Sequence, residues 1–552
     1  MIESEACALL KTENHPISLA PGLSRLFLDY CAGAPVAQRF YPGLLESRTP
    51  SAGSVPAWQR RPAIPAHWPE LVTLLAEQNP EPSAQGSLKA LSQGAGIMVT
   101  GQQVGLFGGP LFTPFKAATA VARARQATAA GAPHVPVFWL ATEDHDFPEI
   151  DHVVFPARAE LRKLQYKTSL AVPRPVGGLL LDDSIGPLLD EAWELLGTSN
   201  AMDALVAAYK PGRTFAQAFA DFYRQAFAAQ GLLVLDAGGR AFHNMGASVL
   251  RAGLERADEL HAALLERNRE LTDAGYHAQV AVGAQSSLLF LIDEHTGARM
   301  ALKRTPPTAA EPHGLWQTGR QTWSTADLVA ILEAEPERIS PSALLRPVFQ
   351  DLLLSTSATI GGPAEIAYFA QSAVLFERIL GRVTPSLARF SATLIEPAIG
   401  ELLSKHQLTL ERVIAVGRPS SLAKVLAARA MPVEGKRLLA AAGNSLDAEL
   451  TPLLEWMRTV DAGLGRSAQT AASKMRYQMN RLRNLAANFE LQKEASLTRQ
   501  AELIGQSIFP GGGLQERVHG AAYYLAKYGF DLNEEITRLA EQTAPGHTAI
   551  WL

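Results

Sequence analysis

The stretch from residue 96 to 140 constrains the fold more than any other. Gly96-Ile97-Met98-Val99-Thr100 is a short apolar run with the length and composition of a buried strand. It breaks into the glycine-rich turn Gly101-Gln102-Gln103-Val104-Gly105-Leu106-Phe107-Gly108-Gly109-Pro110, and a helix is expected from 111 to 129. A second buried strand, Val135-Pro136-Val137-Phe138-Trp139-Leu140, follows directly. Parallel neighbours need a crossover connection, so strand, helix, strand at this spacing reads as a βαβ unit and predicts an α/β fold around a parallel sheet.

The rest of the chain is organised around that unit. A length of 552 residues exceeds one compact core and predicts two or three structural units. The first stretch, up to about residue 90, reads as helical and Pro-interrupted, ending in Asn79-Pro80-Glu81-Pro82-Ser83. Further strands are expected at 232–236, 288–292, 354–360 and 390–395, with insertions at about 156–187 and 240–340. The first insertion, rich in β-branched residues, Pro and Gly, reads as irregular. Beyond 396 strand signals stop and long helices take over. Ala468, Ala471, Met475, Gln478, Leu482, Leu485 and Phe489 alternate at three and four residues, the seam of a coiled coil. A helical hairpin, a dimer-forming coiled coil and one amphipathic helix packed on its own chain all fit that pattern. The expected division is 1–395 for the catalytic core, 396–510 for the helical arm, and 511–552 for a segment packing back on the core.

Composition excludes several classes. A net charge of −4 and a pI of about 6.4 give no electrostatic footprint for nucleic acid. The first residues lack a basic stretch followed by an apolar one, so no signal peptide is expected. No run reaches the roughly 18 apolar residues of a spanning helix. A cytoplasmic enzyme is expected, with Cys7 and Cys31 as plain thiols, since two cysteines at this spacing make neither a metal site nor a stapled fold.

Three constellations carry chemistry. In the first, Thr100, Gly101, Gln102, Gln103, Gly105, Gly108 and Gly109 join a strand to a helix, with Lys116 two turns in and Pro110 suited to the first turn. Free N–H groups at such a helix start favour a phosphate or carboxylate. A glycine turn that merely lets the chain bend explains the residues equally. In the second, Glu143-Asp144-His145-Asp146-Phe147-Pro148-Glu149-Ile150-Asp151-His152 sets five carboxylates and two imidazoles just beyond a strand, where parallel sheets bind ligands. His145 is a candidate general base, worth about 10²–10⁴-fold, or a group that holds developing charge. Glu143, Asp144 and Asp146 are candidates for an ammonium group or magnesium; solvated charges at a helix cap are the bland alternative. A zinc site lacks its spacing. In the third, Arg346, Gln350 and Asp351 precede Gly361-Gly362-Pro363, with Glu365, Tyr368 and Gln371 near helical spacing behind it. Trp139 ends the second strand. Lys474, Arg476, Arg481 and Arg483 form a basic run on the arm, a phosphate site or a solvated flank.

Taken together, these stretches resemble the bacillithiol biosynthesis cysteine-adding enzyme family. The residues carrying the resemblance are Thr-Gly-Gln-Gln-x-Gly-Leu at 100–106, Gly-Pro-Leu at 109–111 with Lys116, Phe-Trp at 138–139, Glu-Asp-His-Asp-Phe at 143–147 with Glu149 and His152, and Arg346-Pro347 with Gln350-Asp351. Gly-Gly-Pro-x-Glu-Ile-Ala-Tyr at 361–368, Gln371, Gly513-Leu514-Gln515-Glu516-Arg517 and Lys527-Tyr528-Gly529 continue it to the end of the chain. The resemblance implies a Rossmann-like, nucleotidylyltransferase-like core with inserted connecting segments, and a coiled-coil arm that supports homodimers. It also implies the joining of the carboxyl of L-cysteine to the amino group of glucosaminyl-malate. An amide bond from a free carboxylate needs an activated carboxyl, for which ATP or ADP with magnesium is the expected cofactor. His-Ile-Gly-His and Lys-Met-Ser-Lys are both missing, so adenylate chemistry is not carried over. A metal-dependent hydrolase built on 143–152 and a non-catalytic nucleotide-binding coiled-coil protein are the competing expectations.

Overall fold

Five parallel strands form the central sheet. In chain order they are Gly96–Gln102, His134–Leu140, Leu233–Asp236, Ala358–Gly361 and Ser386–Ala388. Across the sheet the order is fifth, fourth, first, second, third, every pair parallel. The computed structural model describes residues 10–42, 56–157, 160–305, 314–319, 321–493, 495–543 and 545–552; Cys7 lies outside them. Cys31 is half-buried in the helix Arg25–Ala32.

The two strands of the βαβ unit are buried on both faces, which is why they read as unbroken apolar runs. Phe138, Leu140 and Val234 turn to one core, and Val99, Val137, Trp139 and Leu235 to the other. The helix Phe112–Ala129 covers the first face and Pro363–Leu380 the second. Right-handed crossovers leaving the first and fourth strands in opposite directions require that arrangement, and they open a crevice between those strands at their carboxyl ends.

Three expected strands take other forms. Leu289–Ile292 belongs to a separate antiparallel sheet with Arg299–Ala301 and Ile339–Pro341. Only the second half of 354–360 is a strand. Its first residue ends the helix Arg346–Leu354, Ser355 adopts φ 44°, and the Asp351 carboxylate caps the Thr356 N–H at 3.0 Å. Ala392–Ile395 leaves the main sheet to pair with His547–Trp551, which pairs in turn with Lys11–His15. The true edge strand, Ser386–Ala388, is three residues long and half-buried, too weak a pattern to read. The segment 156–187 is not irregular throughout: it holds the end of the strand His152–Ala157 and its antiparallel partner Glu160–Gln165, and begins the helix Ile185–Leu196.

The arm centres on a hairpin of two long helices, Val433–Val460 and Ala462–Lys493. Its packed seam is not the expected one. Gly465, Ala472, Met479 and Ala487 are buried, whereas Met475, Leu482, Leu485 and Phe489 are half or more exposed. Small residues let the helices approach, and a Cβ on Gly465 would lie 3.1 Å from the Arg458 Cα. No helix among the described residues is long and apolar enough to cross a membrane.

Candidate active site

A cavity of about 570 Å³ opens at the carboxyl ends of the strands. Every strand of the sheet sends residues to it. Gly101–Gln103 lie at the end of the first, 140–145 at the end of the second, and Gly238, Gly362–Glu365 and Arg389 just past the third, fourth and fifth. Backbone register brings these ends level: Gly101 lies opposite Trp139, and Gln102 opposite Leu140.

Cations gather on one side. Lys116, four per cent exposed, forms an ion pair with Glu365 and donates to Gly101 O at 2.8 Å and Gln102 Oε1 at 2.9 Å. Burial pulls its ammonium below the ordinary lysine value, with Glu365 opposing. Arg346 Nη2 donates to the Tyr368 hydroxyl at 3.0 Å, and burial pushes that phenol up to about 12 despite Arg346. The ammonium of Lys116 and the guanidinium of Arg389 share the Phe112 ring, and Arg517 closes the wall. Arg389 pairs with buried Glu516, whose carboxyl it holds below the ordinary value against the effect of burial.

Carboxylates gather on the other side. Asp144 accepts from Gln103 Nε2 at 2.5 Å and from the His145 N–H at 2.7 Å, and the same Gln103 nitrogen donates to Glu149 at 2.9 Å. Glu143 faces His243, whose Nε2 is 3.2 Å away. Burial works to raise the Glu143 carboxyl, but His243 and Arg299 outweigh it and hold it below the ordinary value. Burial likewise works to lower His243, and Glu143 reverses this to a raised value. Lys116 follows the first strand, Glu365 the fourth and Arg389 the fifth, whereas 143–149 follow the second, with Arg299 standing beside Glu143 and Asp144.

The structure places the remaining sequence candidates elsewhere. Thr100 is buried and donates to Ile360 O at 3.1 Å. Gly105, Gly108 and Gly109 do not line the cavity; they pack on the helix Phe215–Ala226 and its neighbour Tyr209, which bonds Gly108 N and Gly105 O. A Cβ on Gly105 would come 2.9 Å from Gly109 Cα, so that glycine serves close approach of the chain. At each helix start one N–H group is already paired. Leu111 N donates to His519 O, so the chain near 520 seals the first, and Glu365 caps the Gly362 N–H of the second at 2.8 Å. Gly361 is buried under Phe369. Gln350 supports Arg346 at 3.2 Å and Asp351 pairs with Arg382 at 2.6 Å, both away from the cavity. Asp146 is exposed before the short helix Phe147–Ile150. Asp151 and His152 bond each other at 2.7 Å, and Gln371 ties to Val280. The acidic loop therefore splits, and among the described residues no three His, Cys, Asp or Glu side chains converge as a metal site. On the arm, Arg476 pairs with Asp447, far from any cation of the cavity in sequence and on a different element.

Several lining residues escaped the sequence reading. Arg299 and Phe290 come from the second insertion, and nothing in their local sequence marks them. Arg389 follows a strand too short to recognise. Arg517 sat within a matching motif with no role attached, and that was a usable signal.

The sequence that builds this site has counterparts among known proteins. Residues 10–389 match the family description "Bacillithiol biosynthesis BshC, N-terminal Rossmann-like domain", and 392–552 match its C-terminal coiled-coil domain. The chain belongs to the BshC family. A relative from Koribacter versatilis, named "Putative cysteine ligase BshC", is 40% identical over 97% of this chain and 98% of its own. Relatives of the same name from Solibacter usitatus and Salinibacter ruber are 33% and 31% identical, covering 96% and 95% of this chain and 97% and 96% of theirs. The family boundary, between 389 and 392, falls where the chain leaves the central sheet for the strand Ala392–Ile395.

Proposed function

We propose that the protein is a ligase that joins the carboxyl of L-cysteine to the amino group of glucosaminyl-malate, the bond that completes bacillithiol. The observation that carries this reading is the two-sided charge of the cavity. Lys116, Arg346, Arg389 and Arg517 form a seat for the malyl carboxylates or for phosphate, and arginine suits either by bidentate pairing. Glu143, Asp144 and Glu149 face the amines, holding the cysteine ammonium and taking the proton shed by the attacking nitrogen. Holding both substrates in one cavity replaces a bimolecular encounter by an oriented one.

Amide formation from a free carboxylate needs an activated acyl group, for which ATP with magnesium is the proposed source; a nucleotide supplies the phosphoryl or adenylyl group that activates the carboxyl. The cationic side fits its phosphates in charge. The reaction joins small soluble metabolites, which suits a cytoplasmic enzyme. A homodimer is proposed through the arm, where Met475, Leu482, Leu485 and Phe489 leave an apolar stripe exposed.

The test is reconstitution. With purified protein, L-cysteine, glucosaminyl-malate, ATP and magnesium, mass spectrometry is expected to find bacillithiol, and omission of cysteine to abolish it. Absence of product from the complete mixture, with the protein folded, contradicts the reading.

A further inference from the structure

We propose that Arg299 fixes His145 as a neutral hydrogen-bond donor, which makes this imidazole the group that stabilises the oxyanion of amide formation rather than its general base. Arg299 lies 154 residues from His145, on the edge strand Arg299–Ala301 of the inserted sheet. Its Nη1 is 3.0 Å from His145 Nδ1. A guanidinium has five N–H donors, no acceptor, and does not lose its proton in proteins. The contact therefore has one polarity: Nδ1 is the acceptor, and the proton of the neutral ring resides on Nε2.

Arg299 cannot turn away to relax this requirement. Nε donates to Ser340 Oγ at 3.1 Å, Nη2 to Pro341 O at 2.9 Å, and the guanidinium stacks on the Phe290 ring at 3.8 Å. Its backbone N–H is bonded to Pro173 O at 2.9 Å. The same Phe290 ring lies 5.7 Å from the imidazole. His145 lines the cavity with its side chain about one-third exposed, and with Nδ1 occupied, Nε2–H is the nitrogen left to meet a ligand. A ring in that state has no lone pair to offer an incoming amine. It has a donor fixed in place before the reaction, the requirement for stabilising charge that appears only in the transition state.

The proposal rests on the ligase reading for its chemistry. The amine nitrogen attacks the acyl carbon of a mixed anhydride between cysteine and phosphate or nucleotide. The carbonyl electron pair moves to oxygen, where Nε2–H of His145 meets it. The nitrogen sheds one proton to the Asp144 carboxylate, and the oxyanion collapses as the phosphate leaves with its bonding pair. His145 itself neither gains nor loses a proton. Arg299 acts through His145 and is a positioning residue.

Two measurements on the full-length protein decide it. In protein labelled with ¹⁵N-histidine, long-range proton–nitrogen correlation identifies the tautomer of each ring, and loss of one signal set in His145→Gln assigns His145. The expected result is a neutral ring protonated on Nε2, with mixed tautomers in Arg299→Met and the single tautomer restored in Arg299→Lys. A ring protonated on Nδ1 in the wild type overturns the proposal. In the reconstituted reaction, His145→Ala is expected to lower kcat by about 10²–10³-fold with KM little changed, the cost of one lost oxyanion donor. His145→Gln, which keeps an N–H donor, is expected to recover part of that loss, and His145→Glu, a base without a donor, none. Recovery by Glu and not by Gln overturns the donor role. The tautomer is read without turnover, so a failure of the ligase reading leaves a different trace from a failure of this one.

Discussion

Lys116 and Glu365 show how much one buried pair governs here. Taking either charge away leaves the other without its partner in a site Lys116 reaches with four per cent of its side chain exposed. Lys116→Met is expected to cost about 3–5 kcal/mol of stability, and Lys116→Met with Glu365→Gln to recover much of it; equal denaturation midpoints for wild type and Lys116→Met contradict this. The Glu143–His243 pair makes a second prediction at this scale. The raised imidazole stabilises the fold fully below its ordinary 6.5 and loses that contribution as pH climbs through the raised value. The lowered carboxyl contributes fully above its ordinary 4.5 and loses it as pH falls through the depressed value. The stability difference between wild type and His243→Asn is therefore expected to be greatest from about pH 4.5 to 6.5 and to shrink on either side. A difference flat with pH contradicts the pairing.

Among elements, the glycine turn shows what sequence can and cannot reveal. Its place between two buried strands was legible, because strands covered on both faces show as continuous apolar runs bounded by turn residues. Its role was not. Whether Gly108 approaches a ligand or another part of the chain depends on residues a hundred positions away, Tyr209 and Phe222 of the helix Phe215–Ala226. Gly105→Ala is accordingly expected to lower stability by about 1–3 kcal/mol through steric conflict with Gly109, while L-cysteine binding to refolded protein survives; an unchanged melting temperature contradicts it. Lys116, Glu365 and Tyr368 were identifiable from motifs, since each sits in the first two turns of a helix that follows a glycine turn, and Arg346 from the stretch it shares with Gln350 and Asp351. Arg299 was beyond reach: it arrives from a separate sheet, and only tertiary packing sets it beside His145. The arm misled for a simpler reason. Large apolar residues drew the seam, whereas the packed face uses Gly465 and Ala472, where small side chains permit closer helices.

For the whole molecule, the proposed dimer would bury the exposed stripe of Met475, Leu482, Leu485 and Phe489. Leu482→Glu with Phe489→Glu is expected to halve the mass measured by light scattering from dimer to monomer; a monomeric wild type contradicts the dimer. The crevice between the first and fourth strands is proposed to hold both substrates, the malyl carboxylates by Lys116 and the arginines and the cysteine ammonium by Glu143 or Asp144. That placement is tested most directly by a crystal structure of the protein with L-cysteine and glucosaminyl-malate, without nucleotide so that no bond forms. The predicted result places the malyl carboxylates within hydrogen-bond distance of Lys116, Arg346 or Arg389, and the cysteine ammonium against Glu143 or Asp144. Either substrate seated outside this cavity, or the two bound with their charges reversed, would contradict it.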